Sequence, residues 1–297
     1  MELALADAAV NAFTIALLGL SYTMILRSEG FPHLWLINFM PIGAYTSFII
    51  SELWRASPYL GVPAGFILGG ALGLACHVLV YRRLRAVNAG PVYMTLGGLG
   101  LGILATSGVG ILAYWLMEQY SMYTMGFSLR DHDFTLYGVN GAVWVTALFG
   151  ILVAASTVCV LRTKAGVIWR AFTEDPSLLQ VCGFDPGKVR AASWFIAHGL
   201  AASLGSLYSI YHQGQPTMGY GYLAAMALAS ILGGETLTGS LVAGLGVGCF
   251  NSLVFGSIGA INGDYFYYEL KFAAQPVIIW VALWFKERID RFFEGWA

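Results

Sequence analysis

The sequence predicts an all-α fold, a polytopic transmembrane helical bundle, and three observations carry the prediction. Of the 297 residues 58% are hydrophobic and only 10% charged, more apolar surface than a soluble core of this size needs. Apolar stretches of about 20 residues, each long enough to cross ~30 Å of hydrocarbon, recur along the whole chain. Runs such as AVWVTALFGILVAASTVCVL are apolar on every side, whereas a membrane β-barrel alternates over ~10-residue segments. The chain therefore reads as one transmembrane domain, residues 1–297.

Spans are expected at 8–26, 33–51, 62–81, 91–117, 138–161, 189–211, 222–233, 240–257 and 268–285, nine in all with the seventh short. The first is expected to be retained, because MELALADAAVNAF carries Glu2 and Asp7 and lacks the basic start of a secretory leader. If Arg82, Arg83 and Arg85 are cytoplasmic, alternation across nine spans puts 12 of the 15 lysines and arginines inside, leaving only Arg55, Arg130 and Lys271 outside. That bias places the N-terminus outside and the C-terminus in the cytoplasm. The net charge of −1 gives no reason to expect a nucleic-acid partner.

The longest outside loop, 118–137, holds Arg130, Asp131, His132 and Asp133, which read as a solvated loop or a docking surface for an external protein rather than a metal site. Tyrosines and tryptophans near the span ends, such as Trp54, Tyr114 and Trp115, read as interfacial anchors. Cys76, Cys159, Cys182 and Cys249 form no CxxC pair and read as small apolar filler.

Two breaks share one punctuation. Gly30-Phe31-Pro32 follows the first span and Gly214-Gln215-Pro216 the sixth, on opposite sides of the membrane by the topology above. Matching Gly and Pro interruptions point to an inverted repeat and a central site where freed N–H and C=O groups face a polar cavity. His33, Asn38, Tyr45, Thr95 and His198 are the candidate pathway residues, and Gly30, Pro32, Gly214 and Pro216 the helix breaks. The polar residues at membrane depth include no acid or lysine, so the driving energy is expected to come from elsewhere. The small-residue runs Leu96–Gly110 and Leu232–Gly248 predict close helix packing.

The extended polar stretch is Arg162–Arg190, expected in the cytoplasm. Asp175 caps a helix that Pro176 opens and Gly183 stops. About two turns of isolated helix are marginal in water, so this one needs a partner. A second pair, Asp185-Pro186, starts the next span at once and ties the short helix to the membrane.

Two blocks carry a resemblance. GLSYTMILRSEGFPHLWLINFMPIGAY (19–45) matches at Gly30, Gly43, Ala44 and Tyr45, and WRAFTEDPSLLQVCGFDPGKVRAASWFIAHGLAASLGSLY (169–208) at Arg170, Ala171, Asp175, Gly183, Phe184 and Asp185. Pro216, Gly219, Leu232-Gly233-Gly234 and Gly239 extend it. The chain resembles the permease subunits of branched-chain amino-acid ABC importers, the LivH/LivM-like family, and departs from them at Pro32-His33-Leu34. The resemblance implies a multi-pass protein of a bacterial or archaeal inner or plasma membrane that moves branched-chain or other hydrophobic amino acids. It implies a second permease subunit in a heterodimer, two ATP-binding subunits and an external substrate-binding protein. Segment 162–190 would carry the coupling helix, with Arg170, Ala171, Glu174, Asp175, Leu178, Leu179 and Gly183 contacting the ATPase and the leucines filling its groove.

The chain contains no GxxxxGK[ST] loop, so ATP and Mg belong to the partner subunits and no cofactor is expected on this chain. The alternatives are import of urea, short amides or aromatic acids by the same architecture, an autonomous channel, or an intramembrane enzyme using His77 or His198. The enzyme reading lacks a GxSxG or HExxH motif.

Overall fold

A computed structural model describes residues 2–262; the expected ninth span, 268–285, lies outside the described residues. Helices dominate: α1 (Glu2–Glu29), α2 (Phe39–Phe48), α3 (Gly61–Cys76), α4 (Arg82–Ala86), α5 (Pro91–Tyr120), α6 (Gly141–Leu161), α7 (Lys164–Glu174), α8 (Pro176–Val181), α9 (Pro186–Tyr211), α10 (Leu223–Leu232) and α11 (Leu237–Asn262). Among the described residues five continuous helical stretches are long and apolar enough to cross a membrane: Leu5–Glu29, Leu34–Leu53, Pro58–Ala86, Pro91–Tyr120 and Gly141–Leu161. Elements the sequence did not announce include α7 and a two-stranded hairpin in the 118–140 loop, β1 (Thr135–Leu136) against β2 (Val139–Asn140).

The seventh expected span proves to be a half-length element. α10 has 10 residues, about 15 Å at 1.5 Å per residue, and is preceded by a 3-10 turn, Met218–Tyr222. The second expected span opens the same way, on a 3-10 turn at Leu34–Asn38 that leads into the 10-residue α2. Gly30, at φ +77°, ends α1, and its N–H bonds back to the Leu26 carbonyl. The chain then turns back into the protein, so that Asn38 reaches the Gly102 carbonyl near the middle of α5 (2.9 Å).

Polar contacts sort the helix ends into two groups. Glu29, Arg85 and Arg190 meet at one end, with α7 and α8. At the other, His132 lies 3.5 Å from Glu52, Tyr59 donates to Asp133 (2.5 Å), and His212 lies 3.3 Å from Asp7. Asp131, His132 and Asp133 thus do not converge on one point: Asp133 also accepts from the Phe134 and Ala142 amides and pins the hairpin.

The packing is reciprocal. α1 lies along α11 and α3 along α9, while α2 packs on α9 and α3, and α10 on α1 and α11. Small residues set the first two contacts. Gly65, Gly69 and Gly73 of α3 face Ser206, Ala202 and His198 of α9, and Gly244 and Gly248 of α11 face Ala16 and Ala12 of α1. The Ser206 hydroxyl reaches the carbonyls of both Gly43 (2.8 Å) and Gly61 (2.9 Å), holding α2 and α3 to α9. Close packing thus describes the 232–248 run well and the 96–110 run only on one face. Gly98 and Gly102 abut Trp35 and Asn38, but Gly100, Gly108 and Gly110 open onto empty space. Of the four cysteines, Cys76 is half-buried and Cys159, Cys182 and Cys249 are exposed.

At Gly205 an added Cβ would run into the Met40 backbone carbonyl, which cannot rotate away. Gly205→Val is therefore expected to destabilise the protein by about 1–3 kcal/mol or more, read as a lower thermal midpoint in detergent. Gly246→Ala, at a site with open space, should leave the midpoint in place.

Candidate functional site

The polar stretch 162–190 folds as its residue types require. Asp175 Oδ1 accepts from the Ser177 amide (2.8 Å), the second residue of α8 after Pro176. At the other end Gly183, at φ +84°, closes the helix: its N–H bonds to the Gln180 carbonyl (3.0 Å) and the Phe184 N–H to the Leu179 carbonyl (3.3 Å). This pair of bonds is the glycine C-cap that satisfies carbonyls a short helix leaves open. Asp185 then caps α9 through the Gly187 amide (2.8 Å), so only four residues separate two capped helices.

The expected contact residues divide by exposure. Glu174 and Asp175 are exposed, Ala171 is half-buried, and Arg170 donates to the Leu161 carbonyl at the end of α6 (3.2 Å). Leu179 is buried within the chain, whereas Val181 is 83% exposed and Phe184 46% exposed. Leu178 lies within α8.

Behind this surface runs a buried line of polar and aromatic groups. Phe172 of α7 is buried under the Arg190 guanidinium, 5.3 Å from its ring centre. Arg190 pairs with Glu29 at 3.3 Å, and the fully enclosed Glu29 carboxylate also takes Arg85 and accepts from the Trp194 indole N–H (2.7 Å). Trp194 stacks on His198, with ring centres 4.8 Å apart and planes 11° apart. His198 Nε2 lies 3.0 Å from His33 Nε2, and His33 stands between the first break and the 3-10 turn that opens α2. An unbroken set of contacts therefore joins α7 to the first chain break.

Of the expected pathway residues, the structure brings His33 and His198 together and keeps the others apart. Asn38 bonds to α5, Tyr45 donates to the Thr124 carbonyl (2.6 Å), and Thr95 bonds back to the Pro91 carbonyl within α5. His33, Asn38, Tyr45 and His198 are all buried. The helix breaks hold different neighbours: Gly214 exchanges backbone bonds with Phe127 of the loop between α5 and β1, and Gly219, three residues beyond Pro216, sits against the Ile37 carbonyl. The two 3-10 turns thus touch one another.

Sequence reasoning missed Glu29, Arg85, Arg190 and Trp194. Their one signal is the acid in RSEG, which reads as a span-end residue until folding surrounds it with two arginines. The cavity of about 660 Å³ among α1, α6, α7 and α9 is lined by apolar groups such as Leu20, Phe149 and Ile196, with Lys188 at its rim, and does not reach the breaks.

With this geometry in place, residues 4–280 match the family model described as the permease component of the branched-chain amino acid transport system. The chain is 27% identical to the LivH permease protein of Methanocaldococcus jannaschii, named for branched-chain amino acid transport, over 85% of this chain and 81% of that one. It is 25% identical to the high-affinity branched-chain amino acid permease LivH of Escherichia coli, over 81% of each chain. It is also 25% identical to BraD of Pseudomonas aeruginosa, over 83% of this chain and 86% of that one. No solved structure matches.

Proposed function

The chain belongs to the branched-chain amino acid transport permease family, and on that premise we propose how this permease subunit works. It is a transport subunit of the membrane, and ATP is hydrolysed in separate partner subunits. The solute is a branched-chain or similar hydrophobic amino acid handed over by an external substrate-binding protein. A second permease subunit and two ATP-binding subunits complete the assembly.

The observation that carries the mechanism is the buried line Phe172, Arg190, Glu29, Trp194, His198, His33. The end of the molecule holding Glu29, Arg85, Arg190 and α8 faces the cytoplasm, in keeping with its cations. Closure of the ATPase pair pushes the capped α8. Arg190, four residues beyond Pro186, moves with α9, and Glu29 passes the displacement to the end of α1 and to the break at Gly30–His33. Ion pairs and stacked rings in a close-packed interior transmit such a shift because they do not deform continuously.

Reciprocal packing supports an inverted repeat, with α1, α2 and α3 corresponding to α9, α10 and α11. In this reading the α1 to α11 contact repeats the α9 to α3 contact, and α2 and α10 each follow one of the two touching 3-10 turns. Irregular backbone is tolerated at this depth where it lines a pathway.

Co-expression with the partner subunits and reconstitution into vesicles test the proposal. The expected result is that ATP-binding subunits stay bound after mild detergent extraction and that ATP drives uptake of radiolabelled leucine but not urea. Uptake of urea alone would reassign the solute, and uptake of either without ATP would point to a channel.

A further inference from the structure

We propose that the hydroxyl pair of Thr106 and Tyr220 is a station of the translocation pathway that receives the solute's carboxylate at the middle of the membrane. The inference rests on the permease reading above and adds a site to it. Thr106 is the sixteenth residue of the 30-residue α5, roughly 22 Å from either end at 1.5 Å per residue, so it stands at the membrane midplane. Its Oγ1 lies 3.1 Å from the Tyr220 hydroxyl, and Tyr220 is 46% exposed.

A pair of hydroxyls makes one hydrogen bond and keeps one O–H. Neither hydroxyl has another hydrogen bond among the described residues. A spare donor at this depth is costly against hydrocarbon, and polar groups inside membranes face a bundle interior or a watered cavity. The surroundings fit a pathway. Tyr220 belongs to the 3-10 turn that opens α10, and its neighbour Gly219 sits on the Ile37 carbonyl of the turn that opens α2. One turn from Thr106 along α5, Gly102 accepts from Asn38. Both 3-10 turns therefore meet α5 beside the hydroxyl pair, and they lead directly into α2 and α10, whose starts are the positive ends of helices.

Each hydroxyl can donate or accept, and the partial positive charge at the starts of α2 and α10 tips the station towards an anion over an ammonium. Exposed Ile103 and Leu104 supply an apolar shoulder on the same helix. The combination suits an aliphatic amino acid, carboxylate towards the hydroxyls and side chain along α5.

The test uses the complete transporter in vesicles. Thr106→Cys, in a background with Cys76, Cys159, Cys182 and Cys249 replaced, is expected to react with a charged, membrane-impermeant thiosulfonate. Tyr220→Phe and Thr106→Val are each expected to lower kcat/KM for leucine about tenfold, the scale of a hydrogen bond to a charged group, with the ATPase rate retained. They should also narrow the preference for leucine over leucinamide, which lacks the carboxylate. Labelling by a lipid-soluble maleimide but not by the charged reagent would show that the pair faces lipid and overturn the proposal. So would unchanged leucine uptake in both hydroxyl variants. If the unsubstituted transporter takes up no leucine, the solute assignment fails on its own, and the charged-reagent labelling still decides whether Thr106 lines an aqueous path.

Discussion

Glu29→Ala is expected to be among the most damaging single substitutions in this chain. The carboxylate is fully enclosed and answers Arg190 at 3.3 Å, Arg85, and the Trp194 indole N–H at 2.7 Å. Removing one partner of a buried pair strands the other as an uncompensated charge, which costs about 3–5 kcal/mol. Here Arg190 is the more buried of the two cations, with its side chain 14% exposed against 37% for Arg85, so it bears most of that cost. The variant should show a strongly lowered thermal midpoint in detergent and little assembled complex. Glu29→Gln keeps an oxygen for Trp194 but no charge, and should fall between alanine and the parent. A Glu29→Ala protein as stable as the parent would mean that the carboxylate holds nothing together, and the relay would lose its central link.

Gly183→Val should nearly abolish transport for a different reason. No atom lies within 4 Å of a Cβ at this position, so the penalty is not a clash. It comes from φ +84°, a conformation that costs a β-branched residue roughly 1–2 kcal/mol or more. That figure is enough to shift a population about tenfold, and a six-residue helix has little stability of its own with which to absorb it. Loss of the two capping bonds unravels the end of α8, so a push from the ATPase no longer reaches α9. The ratio of leucine imported to ATP hydrolysed should drop at least about tenfold. Gly183→Asn, which tolerates this conformation, should retain much of it. Normal coupling in the valine variant would remove α8 from the mechanism.

The caps were legible because they are local. Asp175-Pro176, Gly183 and Asp185-Pro186 form within a few residues of backbone, and the hydrogen bonds at Ser177, Gly183, Phe184 and Gly187 follow from those residue types alone. The breaks were legible for the same reason, since Gly30 and Pro32 interrupt a helix whatever surrounds them. Burial was not. Leu179 reads as outward-facing by its place in a polar segment, yet it is covered by this chain's own helices, while Val181 and Phe184 face out. The small residues from 96 to 110 do not say which glycines meet a neighbour, because that depends on where Trp35 and Asn38 arrive from another helix.

By itself the sequence determined a helical membrane chain, the positions of its breaks and caps, and the polar segment between its long apolar runs, since hydropathy, proline and glycine act through solvent and local backbone. Only the tertiary structure decided that Glu29 is a buried hub, that His33 and His198 are neighbours, and that Tyr220 meets Thr106. Those pairs are 56 to 165 residues apart or joined through helices whose crossing depends on which glycines let backbones approach. A charge near a span end or a hydroxyl on an apolar helix takes its role from what packs against it, and packing is a property of the folded whole.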